Sequence, residues 1–471
     1  MLYLKTVFTS LLLCVLSCLS AQEVWSLEKC MDYALKNAPL VSQANLDLEL
    51  ANLDYKAQKN LRLPTLSGFS NAVVQFGRTI DPTTNSFDNQ RITSNSLGLN
   101  GEWMLFSGGQ ILNNIKQQEQ LLESTKWLQA DARNLLKLNV LAAYLEVLLA
   151  SDQYEQIKVN LNDLKQQLRD VQKQVAIGTN SPTQRLEVEA QIAQLQQTVV
   201  QSKYRIQSAY ASLRNVLFLP PETDFQVART DFEEVVPVSY VESQVYQNMR
   251  QKYPSLLAQE ANLRAVEYEI RAAQSRLFPT IGIFANVNSG YSSLGTRVIG
   301  TQETTASEMV RLNGEVSTIE FFNERNVREK NPYFSQLNEN FGQQVGIFLR
   351  VPLFDQASNR INIQRSQVNL VQSKLNYDNT KQALDFALQQ ALIDVNAAWE
   401  VYESAQQNVD VNARLLRNKA REYEIGVTNA LDYFTVRNRH QNAILQLIQS
   451  KYDYLYKTQI VELYQMGELM K

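Results

Sequence analysis

The sequence predicts a membrane β-barrel continued by very long paired α-helices, with one chain supplying only part of each. Three observations predict it: two very long stretches (110–177 and 355–425) without glycine or proline, four short segments of alternating polarity, and an N-terminal secretory signal.

The signal comes first. Lys5 is the only charge before residue 23, Val7–Leu19 is mostly apolar, and Ser20-Ala21 precedes Gln22-Glu23, so cleavage is expected after Ala21. Removing residues 1–21 takes away Lys5 alone and moves the formal charge from −3 to −4. An alternative is lipid attachment at Cys18, because Val15-Leu16-Ser17-Cys18 loosely matches a lipid-attachment box. Cys14 and Cys18 leave with the signal, and Cys30 then has no partner for a disulfide within the chain. No apolar run long enough for a helical span follows, so a membrane-embedded chain is expected to be a barrel.

The long stretches read as helices. At 1.5 Å rise per residue each would extend for about 100 Å. Segments 183–219 and 430–466 also lack glycine and proline and read as return helices. In the first return, Val188, Ile192, Leu195, Val199, Ser202, Ile206, Ala209, Leu213 and Val216 recur at spacings of four and three. Ile157, Leu161, Leu164, Leu168, Val171 and Val175 answer on the preceding helix, and 178–182 makes the turn. Other faces carry many amides, such as Gln166, Gln172 and Gln194, which suits a solvated coiled coil or a helix wall with water on both sides. Segments 26–63 and 240–278 are shorter helical stretches, with Pro39 and Pro254 at turn or helix-start positions.

Four segments show period-two patterning. In 95–105, Leu97, Leu99, Trp103 and Leu105 share one parity against Ser96, Gly98, Asn100 and Glu102. In 341–353, Val345, Ile347, Leu349, Val351 and Leu353 oppose Gly342, Gln344, Gly346 and Arg350, with Phe348 breaking the pattern. Segment 280–291 sets Ile281, Ile283, Ala285 and Val287 against Thr280, Gly282, Asn286 and Asn288; segment 65–76 is the weakest. Each is about the length of a tilted membrane strand. A soluble sheet would alternate too, but the signal and the lack of another β-rich core favour a barrel. Four strands cannot close, and open edges are not tolerated in lipid, so the chain must oligomerise. Eight strands would largely fill their own interior, so three or more copies are expected for a channel. Loops 77–91 and 292–340 read as surface loops.

The chain also repeats itself. The spacing from Pro39 to Pro64 equals that from Pro254 to Pro279, at an offset of 215 that Phe69 and Phe284 keep. The interval from Phe106 to Gly178 equals that from Phe354 to Gly426, at an offset of 248. Two repeats follow, 22–239 and 240–471, and the growth of the offset places one insertion in the second, between Pro279 and Phe354. The extended loop 292–340 holds it.

Leu63-Pro64-Thr65-Leu66, Phe278-Pro279-Thr280-Ile281, Trp103-Met104-Leu105-Phe106-Ser107-Gly108-Gly109, Gly178-Thr179-Asn180-Ser181-Pro182 and Tyr423-Glu424-Ile425-Gly426 through Leu431-Asp432, by their order and spacing along the chain, resemble the TolC family of outer-membrane efflux proteins. The resemblance covers about residues 26–466. It implies a homotrimeric duct in the outer membrane of a Gram-negative bacterium, extending into the periplasm. Its β-barrel and α-barrel would each be built from four elements per protomer, with a collar formed from 220–240 and 461–471. It also implies passive export of small molecules or proteins, with a periplasmic adaptor and an inner-membrane pump as partners. By position, Tyr423 and Asp432 match the periplasmic gate, and the turns at Gly178 and Gly426 match the adaptor-docking tips. A ring of Asp432 carboxylates would favour cations. Thr428 stands where the family often has a gating Arg, Thr435 where a second Asp ring can occur, and Gln184 replaces an acidic residue, which argues against a two-ring, metal-sensitive gate.

No catalytic constellation, cofactor motif or nucleic-acid footprint is present: His440 is the only histidine, and there is no phosphate loop. Two rival classes remain open at this level. A periplasmic adaptor would carry one hairpin within compact β-domains, and a coiled-coil scaffold would need no lipid-type strands.

Overall fold

Proline and polar caps set where the helices begin, and the computed structural model follows those signals closely. It describes residues 24–80, 85–89, 91–178, 181–229 and 235–469. The signal segment with Cys14 and Cys18, Asp81-Pro82 of the first inter-strand loop, and Thr179-Asn180 of the first helix turn lie outside the described residues.

In chain order the elements are β1 (Val24–Trp25), α1 (Leu27–Asn37), α2 (Pro39–Asn60), β2 (Thr65–Gln75), β3 (Thr79–Ile80), β4 (Phe87–Asp88) and β5 (Ile92–Ser107). Next come α3 (Gln110–Ala176), α4 (Pro182–Leu217), β6 (Gln226–Val227), α5 (Glu242–Lys252) and α6 (Pro254–Ser275). Then follow β7 (Thr280–Ser292), β8 (Thr296–Leu312), β9 (Glu315–Lys330), α7 (Tyr333–Glu339), β10 (Gly342–Arg350), α8 (Ser358–Glu424) and α9 (Ala430–Met466). Helices α1 and α5 are equal in length, as are α2 and α6, and α3 and α8 are both 67 residues long. Pro39 and Pro254 each open a helix, where their missing N–H costs nothing.

The chain divides into two compact units. One gathers the described residues of Met1–Asp54, Gln118–Val266 and Asn369–Lys471; the other gathers Tyr55–Gln117 and Glu267–Val368.

In the first unit, helices bury apolar stripes against each other. Trp25, Cys30, Met31, Leu141, Tyr144, Leu148, Leu213, Leu217 and Phe225 form one core, and Val245, Met249, Leu388, Leu392, Val395 and Val461 form a second. The parallel pair β1–β6 ties residues 24–25 to 226–227, and the Tyr144 hydroxyl donates to the Ala228 carbonyl at 2.7 Å. The chain end is held by α3: Asn134 donates to the Gly467 carbonyl at 2.8 Å, and the buried Lys137 ammonium donates to the Leu469 carbonyl at 3.0 Å. Burial pushes the Cys30 thiol up to about 12, with Lys29 opposing, so the thiol stays protonated and unreactive. One window of α3 is apolar enough to cross a membrane by composition, but 61% of it is buried within the protein, as a core helix requires.

In the second unit, β10, β7, β5 and β2 form an antiparallel sheet in that order, so β10 and β2 are its edges. The register fixes two faces. Val345, Ile347 and Leu349 stand opposite Ala285, Ile283 and Ile281, and Leu99 and Trp103 stand opposite Val287 and Ile283. The other face carries Ser67, Asn71, Ser96, Gly98, Asn100, Glu102, Gly282, Asn286, Asn288, Gln344 and Gly346.

Three expectations need correction here. Strand β10 stops at Arg350, leaving Val351 and Leu353 outside, because Pro352 cannot donate to the ladder and turns the chain away. A bulge between Met104 and Phe106 breaks the parity read over 95–105: Leu105 falls in the bulge and Phe106 stands opposite Ile281. Segment 292–340 is not a plain loop. It holds the long hairpin β8–β9, turned by Asn313-Gly314 with both residues at positive φ, and then α7. Gln336 of α7 is buried; it accepts from Ser292 N at 2.9 Å and donates to the Ser292 and Asn331 carbonyls at 2.9 and 2.8 Å.

Candidate functional site

Two regions collect the residues that matter: the hairpin tips of the helical unit and the polar face of the sheet.

The tips are built by backbone chemistry. Helix α8 ends in a reciprocal cap: Gly426 donates to the Tyr423 carbonyl at 3.1 Å and Val427 to the Glu422 carbonyl at 2.8 Å. Gly426 has φ +74 and Gly178 has φ +77, with nothing within 4 Å of a Cβ placed on either. Conformation rather than space therefore demands glycine at both. Ser181 and Pro182 open α4, and Asn429 opens α9, its side chain accepting from Asp432 N at 2.8 Å. The tips expose apolar groups, among them Ile177, Ile425 and Val427.

The structure places Tyr423 and Asp432 on either side of the second tip. Asp432 is in the first turn of α9, where the positive end of the helix dipole favours its charge. Lys419, paired with Glu422 at 2.6 Å, also senses the Asp432 charge. Tyr423 stacks on Tyr433, with ring centroids 5.2 Å apart and planes 12° apart. Both tyrosines border a core made of Phe434, 1% exposed, with Leu161, Leu164 and Val171 of α3 and Val188 and Ile192 of α4. One turn further on, the buried Arg437 donates to Gln167 Oε1 at 2.7 Å and to Asn160 O and Oδ1 at 3.2 and 3.1 Å. Burial lowers its pKa, with Tyr433 and Asp163 opposing. His440 follows on the same helix, its pKa lowered by burial and then by Arg417. Sequence reasoning missed Phe434 and Arg437 as tip residues, because nothing local says which neighbouring helix they meet.

On the polar face of the sheet, three phenylalanines stand directly opposite glycines: Phe348 opposite Gly282, Phe284 opposite Gly346, and Phe69 opposite Gly98. Each ring fills the space a side chain on that glycine would need. A Cβ on Gly346 would lie 2.5 Å from the Phe284 ring, and one on Gly98 would lie 2.9 Å from the Phe69 ring. Phe348, the residue that breaks the alternation, thus has a cross-strand role. Glu102 is the other cross-strand neighbour of Phe284, and the Arg350 guanidinium lies 6.0 Å from the Phe348 ring centroid. The repeat offset shared by Phe69 and Phe284 was the only sequence signal for this set.

Comparison with known proteins gives a consistent family. The family model described as outer membrane efflux protein matches residues 31–217 and 245–466. Outer membrane efflux protein BepC of Brucella suis is 22% identical over 427 residues, covering 88% of this chain and 80% of BepC. The probable outer membrane lipoprotein SilC of Salmonella typhimurium is 21% identical over 439 residues, covering 91% of this chain and 82% of SilC. The crystal structure of the outer membrane protein VceC from Vibrio cholerae superposes with a TM-score of 0.73, at 13% identity, covering 94% of this chain and 97% of VceC.

Proposed function

The chain belongs to the outer membrane efflux protein family, and on that premise we propose that three copies assemble into the passive exit duct of a tripartite export machine. Its sheet is the observation that carries this reading. Val345, Ile347, Leu349 and Leu66 are 77%, 73%, 64% and 76% exposed on one face, and edge strands β2 and β10 have no neighbour beyond them among the described residues. Lipid can cover the apolar face, and only strands from other copies can satisfy the edge N–H and C=O groups in a bilayer. Three copies give a closed ring of twelve strands with the polar face inward.

Internal duplication, with repeats at 22–239 and 240–471, is supported by the matched helix lengths and by the two blocks in which the family model aligns. The exposed tips at Gly178 and Gly426 suit docking by a periplasmic adaptor, with an inner-membrane pump supplying energy. Tyr423 and Asp432 form the periplasmic constriction, where three Asp432 carboxylates near one axis would attract cations.

The test is single-channel conductance of residues 22–471 in planar bilayers, beside Asp432→Ala. Discrete steps are expected, with weaker cation preference in the variant. Steps of unchanged size and selectivity would remove the Asp432 constriction, and no steps from inserted protein would refute the duct.

A further inference from the structure

A phenyl ring on a water-facing sheet surface is an anomaly, and this sheet carries three. Covering glycine backbone accounts for one edge of each ring and leaves part of each ring open: Phe69 is 37% exposed, and Phe284 and Phe348 are half-buried. The register lays Phe348 and Phe284 on adjacent strands two residues out of line, close enough for large side chains to share one apolar object. The exposed Glu102 carboxylate stands directly across from Phe284 on the same face. Elsewhere that face is mostly amides, hydroxyls and glycines, which offer a passing solute hydrogen bonds but little apolar surface. The Phe348 ring is already approached by a cation, the Arg350 guanidinium.

Resting on the duct reading, we infer that Phe284, Phe348 and Glu102 form a contact site on the lumen wall for organic cations with an aromatic or apolar body. Both rings take the apolar part, the Phe284 face attracts positive charge, and the Glu102 carboxylate pairs with that charge, the Arg350 guanidinium already lying against Phe348. Three copies place three such sites around the lumen near the helix end of the strands. Phe69, four residues into β2 as Phe284 is into β7, gives a second apolar foothold. Such contacts are weak enough to release the solute, as a conduit needs.

The experiment uses residues 22–471 in nanodiscs with ethidium, a planar aromatic cation, as probe. Binding is read by fluorescence anisotropy against protein-free nanodiscs, and single-channel conductance is recorded on the same preparations. Saturable binding is expected, weakened about 3- to 10-fold by Phe284→Leu and by Glu102→Gln, and retained by Phe284→Tyr, which keeps a ring. Conductance steps should persist in all three variants. If Phe284→Leu and Glu102→Gln leave binding unchanged while the steps persist, the rings merely cover glycines and the site is refuted. The same holds if the wild type shows no saturable binding. Absence of steps in the wild type overturns the duct reading, and the site with it.

Discussion

Phe434→Ala is the sharpest perturbation of the second hairpin tip. The side chain is 1% exposed and belongs to one buried core with Leu161, Leu164 and Val171 of α3 and Val188 and Ile192 of α4, so it joins the start of α9 to the first hairpin. Truncating a phenylalanine in such a place costs about 3–5 kcal/mol, from lost transfer energy plus the cavity left behind. The large helical cores around Leu141 and Val461 are untouched, so the loss should appear as local opening of the tip rather than global unfolding. Taken at the lower end, it should raise the opening equilibrium about 100-fold, at roughly tenfold per 1.4 kcal/mol. Amide hydrogen exchange over 430–445 reads this directly and should accelerate by about two orders of magnitude, with protection over 136–150 unchanged. Phe434→Leu, which fills most of the volume, should recover much of the protection. Unchanged exchange over 430–445 in Phe434→Ala would refute the idea that this ring holds the second tip to the first hairpin.

Two further outcomes are expected at the same end of the molecule. His440 titrates low because burial and Arg417 disfavour its charged form. As pH falls below the ordinary 6.5, the unfolded chain therefore takes up a proton that the folded chain resists, so stability should fall with pH. It is the only histidine, so His440→Asn should flatten the dependence of Tm on pH between about 5 and 7 relative to wild type; parallel curves would contradict this. Gly426→Ala should destabilise the tip by about 1–2 kcal/mol through its positive φ alone, with Gly426→Asn milder, measured by local hydrogen exchange.

Helix positions were legible because their signals are local. Proline and glycine mark α2, α6 and both tips within a residue or two, and the long runs without either became α3 and α8. The turn of the β8–β9 hairpin was equally local, signalled by Asn313-Gly314, but the many charges on its strands hide the alternation that marks the other four. The Phe–Gly pairs and the Phe434 wedge were not legible, since each depends on residues far apart in the chain. Phe284 and Gly346 lie on different strands, and Phe434 meets residues more than two hundred positions earlier.

The sequence by itself determined the parts of this protein: its helices, the alternation of its four strands and the family to which it belongs, because periodicity and turn chemistry act between near neighbours. Only the tertiary structure decided the strand order β10–β7–β5–β2, the bulge that sets Phe106 opposite Ile281, and which phenylalanines cover glycines across the sheet, because register and packing are settled between distant segments.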